Sequence, residues 1–188
     1  MDKRKNLKSV VVFFIALLIL FLLGVPLAVL TGDKQGKVIL DEHIALPFHI
    51  EKEKKVVLLY FGYAGCQTIC SPSLEEITAI YKEVNATKKV AFYFINIAKE
   101  AQGLEPFLHY FDKEFIGVNL SLAERRGLMN ALRAYSSDSL RGDAEISHTG
   151  YLYMIKQEPE QSFKLKTMYY TRPFDRKSIV ADIKEELK

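Results

Sequence analysis

Tryptophan is absent from this 188-residue chain, and cysteine occurs only twice, at Cys66 and Cys70. Two cysteines this close together cannot build the stapled framework of a small secreted domain, so the fold must rest on an apolar core. A strong charge of either sign is also missing. Lys and Arg number 26 against 23 Asp and Glu, for a formal charge of +3, and Lys3, Arg4, Lys5 and Lys8 supply much of that excess. The remainder is close to neutral, which gives no case for nucleic-acid binding. There is no internal repeat and no low-complexity tract.

Residues 10–30, VVVFFIALLILFLLGVPLAVL, lack any charged or polar side chain. A helix of that length spans roughly 30 Å, the thickness of a bilayer's hydrocarbon core. The basic cluster before it predicts a cytoplasmic N-terminus and an exported domain. The run exceeds the 7–15 apolar residues usual in a cleaved signal peptide, and no cysteine follows it to carry a lipid. The expected organisation is a basic tail (1–9), a single transmembrane anchor (10–30), a polar linker (31–37) and a folded domain (38–188). The predicted location is a bacterial inner membrane, with the domain facing the periplasm or the cell exterior.

Within the domain, extended pieces are expected at 38–40 and 47–50. Residues 56–61 (VVLLYF) and 90–97 (VAFYFINI) are apolar on both faces, as central buried strands are. Residues 71–84 place Leu74, Ile77, Ile80, Tyr81 and Val84 at helical spacing. Further helices are expected over 105–111, over 122–135 with Leu122, Leu128, Met129 and Leu132 inward, and over 173–187 with Phe174, Ile179, Val180, Ile183 and Leu187 inward. Residues 136–147 read as a polar loop. Two strands, 150–155 and 163–169, flank a turn at 158–161. The order implies βαβ crossovers followed by an antiparallel pair, and so an α/β three-layer fold with a central mixed sheet. A CxxxC where the first central strand passes into its helix fits a thioredoxin-like fold.

Cys66 is expected just before or at the start of that helix, with Cys70 one turn on. Their Cα atoms would lie about 6 Å apart, inside the roughly 4.4–6.8 Å disulfide range. A helix N-terminus stabilises a thiolate through free N–H groups and the macrodipole. Two thiolates can hold soft Cu(I), or they can close and exchange electrons. Cu(II) asks for a nitrogen ligand as well. The four histidines are His43, His49, His109 and His148. Spacing alone singles out none of them, although His148 stands before a strand, where α/β folds carry sites. A static disulfide is a third reading, but a bridge closing so short a loop gains little. A peroxidase reading is weaker still, because no arginine is obviously placed beside the cysteines.

The segment LLYFGYAGCQTICSPSLEEI, with its YFGY-x-x-C-x-x-x-C core, resembles the signature of the Sco (SenC) copper-delivery proteins. The stretch around His148, HTGYLY, is similar to that family's ligand histidine ahead of a strand. The resemblance covers residues 38–188 in general layout, and the cysteine segment is its specific part. It implies a thioredoxin-like fold and copper, as Cu(I) or Cu(II), held by Cys66, Cys70 and His148. It also implies a role in assembling the copper centre of cytochrome c oxidase, with the oxidase subunit or another cysteine-containing client as partner. The alternative is a thiol-disulfide reductase in which Cys66 attacks and Cys70 resolves. The chain departs from the family pattern at Gln67 and Ser71, where prolines usually follow the cysteines, and at Thr68, which takes an acidic place. Pro72 is shifted by one, and INIAKEAQGLEP has no aspartate where the family carries D-P-x-x-D.

Overall fold

The computed structural model describes residues 12–19, 36–99, 102–138 and 146–188. The chain divides into two compact units, Met1–Gln35 and Gly36–Lys188. In the first, residues 12–19 form a helix (α1) with exposed side chains. The rest of the expected 10–30 span lies outside the described residues, among which no helix is long and apolar enough to cross a membrane.

The second unit is built on a six-stranded sheet. Its strands are β1 (Lys37–Ile44), β2 (Val56–Gly62), β3 (Val90–Asn96), β4 (Ile116–Val118), β7 (Leu152–Gln157) and β8 (Phe163–Tyr169), in the order β1-β8-β7-β2-β3-β4. β2, β3 and β4 run parallel, while β7 pairs antiparallel with both β2 and β8, and β1 pairs antiparallel with β8. The mixed sheet expected from the sequence is therefore present. β2 and β3 are buried at every position, which accounts for their unbroken apolar runs. Their side chains alternate between the two faces. Val56, Leu58 and Tyr60 join one core with residues of α2 (Cys70–Val84), α3 (Leu104–Phe111) and α5 (Arg176–Glu186). Val57, Leu59 and Phe61 join the other with Leu128 and Met129 of α4 (Leu122–Ala131). Helices cover both faces, as expected.

Several expectations are corrected. β1 runs on to Ile44, and residues 47–50 form no strand. Leu122 is 52% exposed. It opens α4 directly after Ser121, whose side chain and that of Glu124 form a reciprocal capping box, so its place is set by the cap and not by the core. The last helix begins at Arg176 behind an Asp175 cap, which leaves Phe174 buried but outside the helix. The polar stretch after α4 forms β5 (Ser136–Asp138) and β6 (Ile146–His148), an antiparallel pair of its own. The strand expected from residue 150 begins at Leu152.

Candidate metal centre

The site forms where β2 ends and α2 begins. Helix α2 starts at Cys70 itself, so Cys66 belongs to the turn ahead of the helix and not to the helix. The turn is fixed through backbone groups. Cys66 N–H donates to the Tyr63 carbonyl (3.3 Å), and the Cys66 carbonyl accepts from Ser71 N–H (3.2 Å) and from Ser71 Oγ (3.0 Å). A proline at position 71 could make neither of the last two bonds, so the departure from the family pattern gives Cys66 its own local anchor. Cys70 N–H points at Cys66 Sγ, 3.4 Å away, which is the helix N-terminus acting on a sulfur.

His148 arrives from the opposite side, on β6. It pairs with Ser136 across the hairpin. Thr149 N–H donates to the Tyr135 carbonyl (2.9 Å), and Tyr63 Oη accepts from Ile146 N–H (3.3 Å). These bonds place His148 Nε2 3.4 Å from Cys70 Sγ and 4.0 Å from Cys66 Sγ. Its Nδ1 lies 3.1 Å from the Thr149 carbonyl. A carbonyl can only accept, so Nδ1 carries the proton and Nε2 turns its lone pair toward the sulfurs. The Tyr60 and Tyr63 rings stand edge-on to the imidazole, with centroids at 6.4 and 6.1 Å.

Cys66, Cys70 and His148 are all buried, and their ligand atoms lie within 4.8 Å of one another. Among the described residues this is the one cluster of three side chains able to hold a metal ion. Both cysteines are free thiols, which does not match a static bridge. His43, His49 and His109 are exposed and stand apart from the cluster. The Cys66 thiol is held well below the usual thiol range, first by the hydrogen bond that Cys70 donates to its sulfur and, against the opposing effect of burial, by backbone N–H groups. Cys70 is pushed up by that same bond, by burial and by the charge on Cys66. The metal-free pair thus shares one proton, held on Cys70. Two thiolates and a neutral imidazole are a soft donor set suited to copper.

Two features escaped the sequence reading. The fold brings Arg172, from the loop between β8 and α5, against this site: a Cβ added to Gly150 would lie 2.4 Å from Arg172 Nη1 and 2.9 Å from Ile69 Cγ2. Nothing in the sequence pointed to an arginine in this neighbourhood. Tyr60 is fully buried, and its hydroxyl has no hydrogen-bond partner among the described residues. Burial pushes this phenol up, so it stays neutral. Removing a polar group that has no partner costs little, so Tyr60→Phe is expected to hold stability within about 1 kcal/mol or to raise it. Urea denaturation would show this, and a large loss would mean that the hydroxyl has a partner.

Comparison with known proteins agrees with this geometry. The SCO1/SenC family model matches residues 51–188. The mitochondrial protein SCO2 homolog of Danio rerio is 26% identical over 141 residues, covering 70% of this chain and 49% of that protein. The chain spans about half the length of the curated relatives it matches. Among solved structures, copper-bound ScoI of Arabidopsis thaliana superposes with a TM-score of 0.59 at 23% identity, over 71% of this chain and 83% of that one. Apo Sco1 of Thermus thermophilus gives 0.58 at 21% identity, over 79% and 91%. These structural likenesses fix the thioredoxin-like fold, and the match across residues 51–188 fixes the kinship: this chain belongs to the SCO1/SenC family.

Proposed function

We propose that this protein is a copper carrier that binds the ion through Cys66, Cys70 and His148 and hands it to a membrane-bound client, the copper-receiving subunit of cytochrome c oxidase. The observation that carries this reading is the convergence of two free thiols and one oriented imidazole nitrogen within 4.8 Å in a buried site. The thiolate pair would take Cu(I), and His148 would complete the site for Cu(II). Both sulfurs are buried, so the site would have to open before a client's thiolate displaced them ligand by ligand. The apolar run at 10–30 would anchor the domain outside the cytoplasm, at the bacterial inner membrane, and confine carrier and client to one surface. The proposed organisation remains a basic tail, the anchor, a linker and the domain from residue 38.

Copper titration of the reduced full chain in detergent tests this. One equivalent of Cu(I) is expected to bind. Loading is also expected to release about one proton near neutral pH, because Cys66 already holds the negative charge and only Cys70 must give up its proton. A pH-stat titration reads the release directly. Loading without proton release would mean that Cys70 is not a ligand.

A second reading, a thiol-disulfide reductase, draws on the stabilised Cys66 thiolate with a protonated Cys70 as its neighbour. It requires a disulfide potential well above the structural range. A value below about −300 mV, with no exchange with a small thiol, would sink it.

A further inference from the structure

The guanidinium of Arg172 occupies a particular place. It lies over the Cα of Gly150, two residues beyond His148, and meets there the side chain of Ile69, the residue before Cys70. The histidine loop and the cysteine turn thus approach each other under one positive charge. Arg172 has no ion pair among the described residues, and its charge acts favourably on Cys70 and on Tyr60. It lines a groove of about 370 Å³ beside the site, with Ile69, Pro72, Ser73 and Glu76. Glu76 is the acidic group in that groove, and its carboxylate accepts from Phe174 N–H at 2.9 Å. Gly150 keeps the seat open, because any side chain there would strike the guanidinium.

The charge count of the site then depends on the oxidation state of its cargo. Two thiolates, a neutral imidazole and Cu(I) leave one net negative charge. With Cu(II) the same ligands are neutral. A fixed cation at the rim stabilises the first state and is nearly indifferent to the second. We infer that Arg172 is the counter-charge of the loaded site and biases this protein toward carrying copper in the cuprous state. This rests on the copper-carrier reading and adds to it the oxidation state in which copper is held.

The experiment is a pair of competition titrations on the reduced full chain in detergent at low ionic strength, one against a chromophoric Cu(I) chelator and one against an amino-acid Cu(II) chelator. The charge is at the surface, so its effect is modest. Arg172→Gln is expected to lower the ratio of Cu(I) to Cu(II) affinity about fivefold. Arg172→Lys should retain most of that ratio, and added salt should shrink the difference between wild type and the glutamine variant. A role in packing alone would move both oxidation states together and would not be rescued by lysine. Equal changes for the two ions, or no change for either, would overturn the inference and leave the copper-carrier reading standing. Failure of the unmutated chain to bind Cu(I) through its cysteines would remove both.

Discussion

Replacing both thiols in Cys66→Ser/Cys70→Ser is expected to abolish stoichiometric copper binding, while His148→Ala should separate the two oxidation states. A serine hydroxyl stays protonated at neutral pH and is a hard donor, so it cannot stand in for a thiolate toward Cu(I). The cost should exceed the roughly 10–100-fold that follows when only a group behind a ligand is removed. His148 is a different case. Cu(I) is satisfied by two thiolates, so alanine should weaken its binding only a few-fold. Cu(II) needs the nitrogen, and its affinity should fall by more than about a hundredfold, with loss of the thiolate-to-copper absorption of the intact site. Parallel titrations of the three proteins with each ion read both effects. Unchanged Cu(II) affinity and an unchanged spectrum in His148→Ala would take His148 out of the site, despite its 3.4 Å approach to Cys70 Sγ. Retention of one tightly bound equivalent by the double cysteine variant would overturn the copper-carrier reading.

The route from sequence to site was uneven, for physical reasons. β2 and β3 were legible because strands buried on both faces leave continuous apolar runs, and Leu74, Ile77 and Ile80 marked the buried face of α2 in the same way. β4 is three residues long and carried no pattern to read. β5 and β6 were hidden because their ladder joins Ser136 and Ser137 to His148 and Ser147, polar residues that look like loop. That hairpin is what presents His148, so the histidine could be chosen from the family resemblance and not from periodicity. Arg172 was invisible for another reason. It lies far along the chain from Cys70, and only the packing of the loop after β8 over Gly150 brings it in. The start of α2 was legible to within one residue, and of the two places expected for Cys66 the structure takes the one ahead of the helix, where Cys70 N–H points at its sulfur.

Gly62→Ala should show how tightly the sheet and the site are coupled. Gly62 closes β2, opposite Asn96 of β3. A Cβ there would lie 2.5 Å from Phe94 Cζ and 2.7 Å from Cys70 Sγ, closer than such atoms are found. Neither neighbour can easily yield. Phe94 is fully buried, stacked on Tyr60 with centroids at 6.0 Å and packed against Phe107 at 6.2 Å. Cys70 opens α2, is fully buried, and has His148 Nε2 3.4 Å from its sulfur. One added methyl must therefore shift the strand or push the sulfur off its place, at a cost of about 1–3 kcal/mol. Copper affinity should fall with stability, because the displaced atom is a ligand. Gly127→Ala makes the same chemical change where an added Cβ meets nothing within 4 Å, on an exposed turn of α4, and should stabilise the protein by up to about 1 kcal/mol. Urea denaturation and Cu(I) titration of the two variants side by side decide the matter. Wild-type stability and affinity in Gly62→Ala would mean that the end of β2 does not support Cys70, and the geometry of the metal centre would have to be set by the cysteine turn alone.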